Sequence, residues 1–329
     1  MRPQVLFAAA ALLSVSILPA GCATGRSVPS ASIPTSLPNS PYAIINVHEH
    51  IQSPAEAPKF LDAMKASGLA HTVFVGSPKA TIVGTGGFTE YDDNNAKILT
   101  IARSDPAHFT AFITLNPRDP DKLRKLEGYL RAGAKGVKLY SGHTNFYDLP
   151  LTDPDMEPVY AYLERHHIPV LWHVHLGKFG GEFSAVMARH PHLIVIIPHL
   201  GLSSIRLERL ETLLDRYPTL YTDLSFGYDP FLIAALKRIS GNPAKYQNFV
   251  HRYHDRVLFG TDMVVTKHKR KTVEWLSSVM QCYRHMLETA DYSCGLVDKP
   301  LRGLALEEQT LREIYEINPR RMLQSGQAE

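Results

Sequence analysis

Residues 168–201 read IPVLWHVHLGKFGGEFSAVMARHPHLIVIIPHLG. Both ends of this stretch, 168–175 and 193–201, are short runs rich in Val, Ile and Leu that stay apolar until they close on histidine. Runs of that kind fit strands buried on both faces. Working outward, the same alternation of short apolar runs with longer helical patterns recurs on either side. The further candidate strands are 43–50, 71–77, 109–116, 134–140, 220–225 and 256–262, making eight. Between them, stretches such as DPDKLRKLEGYLRAG and SIRLERLETLLDRYP place leucines every three or four residues beside charges, which is helical spacing. Repeated βα units imply a parallel sheet, and eight of them imply a closed α/β barrel of the (β/α)8 TIM type in one domain over 42–325.

The chain has 329 residues, 44% of them hydrophobic and 20% charged, with a formal charge of +3, a balance that gives nucleic acid no reason to be the partner. Residues 1–22 read as an export signal: Arg2, an apolar run over 5–18 too short to span a bilayer, then PAGC. The ending resembles a bacterial lipoprotein signal with Cys22 as the lipidated residue. Pro19 stands where such signals usually carry Leu. The expectation is an envelope lipoprotein touching membrane only through that anchor, or, if cleaved without lipid, a soluble periplasmic protein. Residues 23–41, rich in Pro, Ser and Thr, read as a tether. Cys282 and Cys294 either pair or stay as buried thiols, since a spacing of twelve fixes no geometry.

Polar residues collect at the C-terminal tips of the candidate strands: His48 and His50, Lys138, His173 and His175, His199, Asp262. In a barrel this is the rim where strands assemble an active site. Strict strand alternation places Asn46, His48 and His50 on one face, His173 with His175, Val195 and Ile197 with His199, and Leu258 and Gly260 with Asp262. Each residue has a structural alternative, a rim hydrogen bond or a helix cap. Their conjunction points to a metal site, because imidazole and carboxylate are the usual ligands of a divalent ion.

The ordered set NVHEH, GVKLY, IPVLWHVH, HPHLIVIIPHLG and RVLFGTD, followed by IYEINPRRML, resembles the metal-dependent amidohydrolase superfamily, nearest its amidohydrolase-2 branch. The resemblance implies a distorted (β/α)8 barrel with one metal, or two, at the rim. It implies His48, His50, His173 and Asp262 as metal ligands, with His175 an alternative to His173. His199 is implied as acid or base beside Asp262, and Lys138 with His199 as ligands of a second ion. A divalent metal, zinc fitting best, would activate water for cleavage of an amide, cyclic amide, ester or lactone of a small molecule. Decarboxylation of an aromatic or unsaturated acid on the same ligands is the second reading, and solute binding without turnover the third. The basic run Lys267–His268–Lys269–Arg270–Lys271 would suit an anionic substrate, or be a solvated face. GTGGF at 84–88 reads as a rim loop, and 267–301 as a lid or a partner surface.

Overall fold

The computed structural model of the chain describes residues 40–84, 87–227 and 229–325. The expected signal, Cys22 and nearly all of the tether lie outside the described residues. Among the described residues, no helix is long and apolar enough to cross a membrane.

Eight strands follow one another around a barrel: β1 (Ile44–Ile51), β2 (Leu69–Val75), β3 (Phe109–Thr114), β4 (Gly136–Gly142), β5 (Val170–Val174), β6 (Val195–Ile197), β7 (Leu220–Asp223) and β8 (Val257–Leu258). All neighbours in this series are parallel. A ninth strand absent from the sequence reading, β9 (Val264–Val265), pairs with β1 on its other side. β8 and β9 are two pieces of one segment, and the turn between them closes the barrel. Val47 N donates to Phe259 O at 2.9 Å, Asp262 N to His48 O at 2.8 Å, and His50 N to Met263 O at 3.0 Å.

The barrel interior is filled by Ile45, Val47, Val73, Val75, Phe112, Leu171, Ile194, Ile196, Tyr221 and Leu258, with Met322 of the C-terminal helix in the same cluster. The opposite faces of the same strands (Ile44, Phe74, Val137, Val170, Trp172, Val195, Ile197) join the larger cluster shared with the surrounding helices. Burial on both sides is why these strands read as continuous apolar runs.

The 267–301 segment, expected as a lid or a partner surface, is largely regular structure. It carries the helix Val273–Glu288, which packs on the helix Ala57–Ala66, and an antiparallel hairpin, β10 (Asp291–Cys294) and β11 (Val297–Arg302). Cys282 and Cys294 are disulfide-bonded, tying hairpin to helix.

Candidate metal centre and active site

The first strand does not alternate evenly. Ile45 and Val47 fill the barrel, while Asn46 turns outward to Glu49, its Nδ2 donating to Glu49 Oε2 at 2.9 Å and to Thr261 Oγ1 at 2.9 Å. The register against β2 slips between Asn46 and Glu49. A bulge of this kind shifts the parity by one residue, so His48 follows Val47 to the inner side and His50 lies two further on. Asn46 therefore does not share a face with the histidine pair. It serves instead as a brace, its Oδ1 accepting from the backbone N–H of His48 and of Thr261, each at 3.2 Å.

His199 reaches the cavity by another departure. On β6 the inward residues are Ile194 and Ile196, not Val195 and Ile197, so continued alternation would have turned His199 outward. The strand ends at Ile197, and His199, Leu200, Gly201 and Leu202 all have positive φ. Left-handed backbone at non-glycine residues is uncommon and clusters at functional sites. Asp262 also has a positive φ, 55°.

These turns bring four side chains together. Asp262 Oδ1 lies 3.0 Å from His48 Nε2 and 2.9 Å from His50 Nε2, and Asp262 Oδ2 lies 3.5 Å from His199 Nε2. Lys138, buried on β4, places Nζ 2.9 Å from His48 Nε2. The ring of His173 sits 5.0 Å from that of His199. His175 goes elsewhere: β5 ends at Val174, and the His175 side chain lines a separate cavity with Leu202 and Arg209. Alternation failed because the strand had already ended.

The hydrogen bonds on the far side of each ring fix which nitrogen faces the cavity. His48 Nδ1 donates to Asp223 Oδ2 at 2.9 Å. His50 Nδ1 donates to Ser77 Oγ at 2.7 Å, since the Ser77 hydroxyl is itself spent on Val75 O at 3.0 Å. His199 Nδ1 donates to Ser225 O at 2.7 Å. Each ring thus presents an Nε2 lone pair beside the Asp262 carboxylate. A fourth nitrogen, His173 Nε2, is buried with no hydrogen-bond partner. Acceptors crowded around one carboxylate repel one another unless a cation lies among them, and a buried polar atom without a partner is costly. His48, His50 and Asp262 offer ligand atoms within 4.8 Å of one another, a group that could hold a divalent ion, with Asp223 and Ser77 orienting the two rings behind it.

At His50, His173 and Asp262 titration behaviour agrees with that chemistry. Burial depresses His50 to about 4 and His173 well below the usual histidine range, leaving neutral imidazoles. For Asp262 burial is the largest influence and opposes ionisation, but His48, His199 and His50 together hold its pKa well below the ordinary carboxylate range. For His48, burial and then Lys138 favour the neutral ring, and Asp262 with Asp223 outweigh them to raise its pKa. Burial brings Lys138 down to about 8.

Beside this centre lies a cavity of about 440 Å³ lined by His50, Lys138, His173 and Asp262 at its floor and by Ala80, Ile82, Tyr140 and Phe146 along one wall. Phe88, from the 84–88 stretch, packs on the same wall, 5.4 Å from Phe146. Of the basic run, Lys271 lines the cavity, Arg270 pairs with Asp229 at 3.4 Å, and 267–269 are exposed.

Asp223, Ser77 and His143 escaped the sequence reading. Asp223 carried a signal: it ends β7 with the inward parity of Tyr221. His143, one residue past β4, also lines the cavity, its ring 4.4 Å from that of His173. Its Nδ1 accepts from Asn145 N at 3.0 Å, leaving Nε2–H as a donor, and burial, ahead of Lys138, lowers its pKa to about 4.

A family profile described as amidohydrolase matches residues 81–324, about three quarters of the chain. The chain belongs to the amidohydrolase family. No curated protein matches it. Among solved structures, this amidohydrolase is similar to one from Pseudomonas putida assigned as a 2-pyrone-4,6-dicarboxylic acid hydrolase (16% identity, TM-score 0.60, covering 87% of this chain and 99% of that one). It is similar also to an uncharacterised TIM-barrel protein of Bordetella bronchiseptica (15%, 0.59, 87% and 100%). A third is 5-carboxyvanillate decarboxylase from Sphingomonas paucimobilis (13%, 0.53, 86% and 99%). At these identities the likeness concerns the fold of the amidohydrolase, whose barrel they share.

Proposed function

We propose that this amidohydrolase is a metal-dependent hydrolase of a small, flat, carboxylate-bearing ester, lactone or amide. The observation that carries the reading is the set of inward Nε2 lone pairs around Asp262, with the partnerless His173 Nε2 beside them. A divalent ion, zinc suiting this donor set best, would supply Lewis acidity and lower the pKa of a bound water from 15.7 to about 7. One ion suffices for these ligands, and Lys138 then acts as a buried cation beside His48.

The chain's own residues supply the remaining steps. Asp262, held ionised, accepts the proton of the attacking water. His199, fixed by Ser225 with its Nε2 facing Asp262 Oδ2, carries that proton towards the leaving group. His143 Nε2–H donates to the carbonyl oxygen as charge builds there. The aromatic wall of Tyr140 and Phe146 fits a flat ring. Lys271, half-buried over Trp275 at 3.8 Å and with no hydrogen bond or ion pair to its ammonium among the described residues, offers a cation for the substrate carboxylate. The solved neighbour assigned as a pyrone dicarboxylate hydrolase is consistent with a substrate of that kind.

The test is elemental analysis of the purified protein, then product analysis on a panel of carboxylated lactones and aromatic acids. About one equivalent of metal and ring-opened acid from a lactone is the expected result. Metal-dependent release of carbon dioxide from an aromatic acid would replace hydrolysis by decarboxylation on the same site. Absence of metal after reconstitution would overturn both. We further propose export with lipidation at Cys22, which the Cys282–Cys294 bond suits because disulfides persist in oxidising compartments. Intact mass of the mature N-terminus tests it.

A further inference from the structure

A second cavity, of about 480 Å³, lies beyond the metal centre, between the tips of β5 and β6 and the helix Asp229–Gly241. Phe231 separates the two: it lines the second cavity and meets the His199 ring edge-on at 5.9 Å. Around the second cavity stand Arg206, Arg209 and Arg238. Several arginines elsewhere, Arg118, Arg124, Arg252 and Arg284 among them, have a carboxylate within 4 Å, whereas the lining of this cavity holds three arginines and no acid. Among the described residues, none of the three at this cavity has an ion pair. Arg238 is held only by Ser204 Oγ at 2.8 Å. His175 Nδ1, buried and without a partner, belongs to the same cavity.

Three cations gathered without counter-charge repel one another, a cost that an oxyanion between them would remove. Arg209 and Arg238 stand on the helices Glu208–Arg216 and Asp229–Gly241, and the loop that carries Arg206 is anchored. Tyr246 OH donates to Ser204 O at 2.8 Å and Lys245 Nζ to Ile205 O at 2.7 Å. On this anchored loop the Ile205 side chain is 68% exposed, at the lip of the cavity. Gly177 gives the cavity room: a Cβ there would come within 2.7 Å of Arg209 Nη1 and 3.0 Å of His175 Cε1.

We propose that this second cavity is a phosphate-binding site, in which Arg206, Arg209 and Arg238 hold a dianionic phosphate group and Ile205, Leu202 and Phe231 cover an apolar part of the same ligand. Guanidinium suits the task because its planar fork matches phosphate oxygens in pairs. The site stands apart from the metal and does not depend on which reaction the metal serves.

Calorimetric titration of the metal-loaded protein with inorganic phosphate and with phenyl phosphate tests the proposal, in the parent, in Arg206→Gln/Arg209→Gln and in Lys271→Ala. Both arginines are exposed, and a thermal melt confirms that the double variant is folded; Arg209→Glu serves as a second variant. Expected are binding in the parent, phenyl phosphate at least about threefold tighter than phosphate, a tenfold or greater loss in both arginine variants, and no change in Lys271→Ala. Absence of binding to the parent, equal binding by the arginine variants, or a loss confined to Lys271→Ala, which would put the anion in the metal cavity, overturns the site. Equal affinity for the two probes overturns its apolar half.

Discussion

His173 and His175 are two residues apart and serve two different cavities. His173 lies among neutral imidazoles and one carboxylate, where nearly every polar atom has a partner and its own Nε2 does not. His175 lies in a cavity lined by two exposed arginines and one half-buried one, with no acid in its lining. The inner cavity gathers imidazoles and a carboxylate around Lys138, the outer one gathers guanidinium groups with no acid in its lining. Sequence spacing cannot separate such neighbours; the end of a strand at Val174 does.

Several measurements would break or sharpen that contrast. The largest effect belongs to Asp262→Ala, which removes both a ligand and the proton acceptor: a fall in kcat/KM of about 10³-fold or more with loss of bound metal is expected. An active, metal-replete variant would show that the inner cavity is not built around a cation. Asp223→Asn leaves the inner ligands in place but weakens the support behind His48. Metal affinity should drop by about 10- to 100-fold, read by competition with a chelator. Lys271→Ala should raise KM for a carboxylated substrate about tenfold with kcat little changed, since its contact is made equally in ground and transition states. A fall in kcat instead would place Lys271 in the chemistry.

The smallest activity effect is assigned to His175→Ala, with metal content unchanged and kcat/KM within about twofold of the parent. Loss of metal there would restore His175 as a ligand. Glu49 sharpens the contrast through stability. Burial raises its pKa well above the usual value, so the folded chain holds a proton that the unfolded chain has released. Stability is fully present below the unfolded pKa near 4.5 and declines as pH rises towards the folded pKa. Glu49→Gln should match the parent in acid and exceed it increasingly at neutral and higher pH, as judged by urea midpoints. Parallel pH profiles for the two proteins would refute the buried, protonated carboxyl.

The barrel was legible because its strands are apolar on both faces, a pattern that survives without any knowledge of contacts. The inward histidines His48, His50 and His173 and the aspartate Asp262 were legible because strand tips in a barrel converge. What stayed hidden depended on breaks in regular geometry. The slip at Val47–His48 reversed the role of Asn46, and the left-handed turn at His199–Leu202 rescued a histidine that β6 parity alone would have turned away. Asp223 and Ser77 hid because each acts through another residue's ring. His143 sits past its strand, where periodicity says nothing.

The closure of the barrel by residues 259–265 against β1 also governs assembly. His50 and Asp262 meet across 212 positions of chain, and the bonds that seal the seam flank them on both sides. No earlier fragment of the chain contains both halves of the centre, so a nascent chain remains without a metal site until its eighth strand has been made. Contacts of such long sequence separation are closed late and at high entropic cost, and an ion bound across the seam would act as its clasp. An ion held there would couple the acquisition of metal to the completion of the fold, and a chelator present during refolding would then select for open barrels.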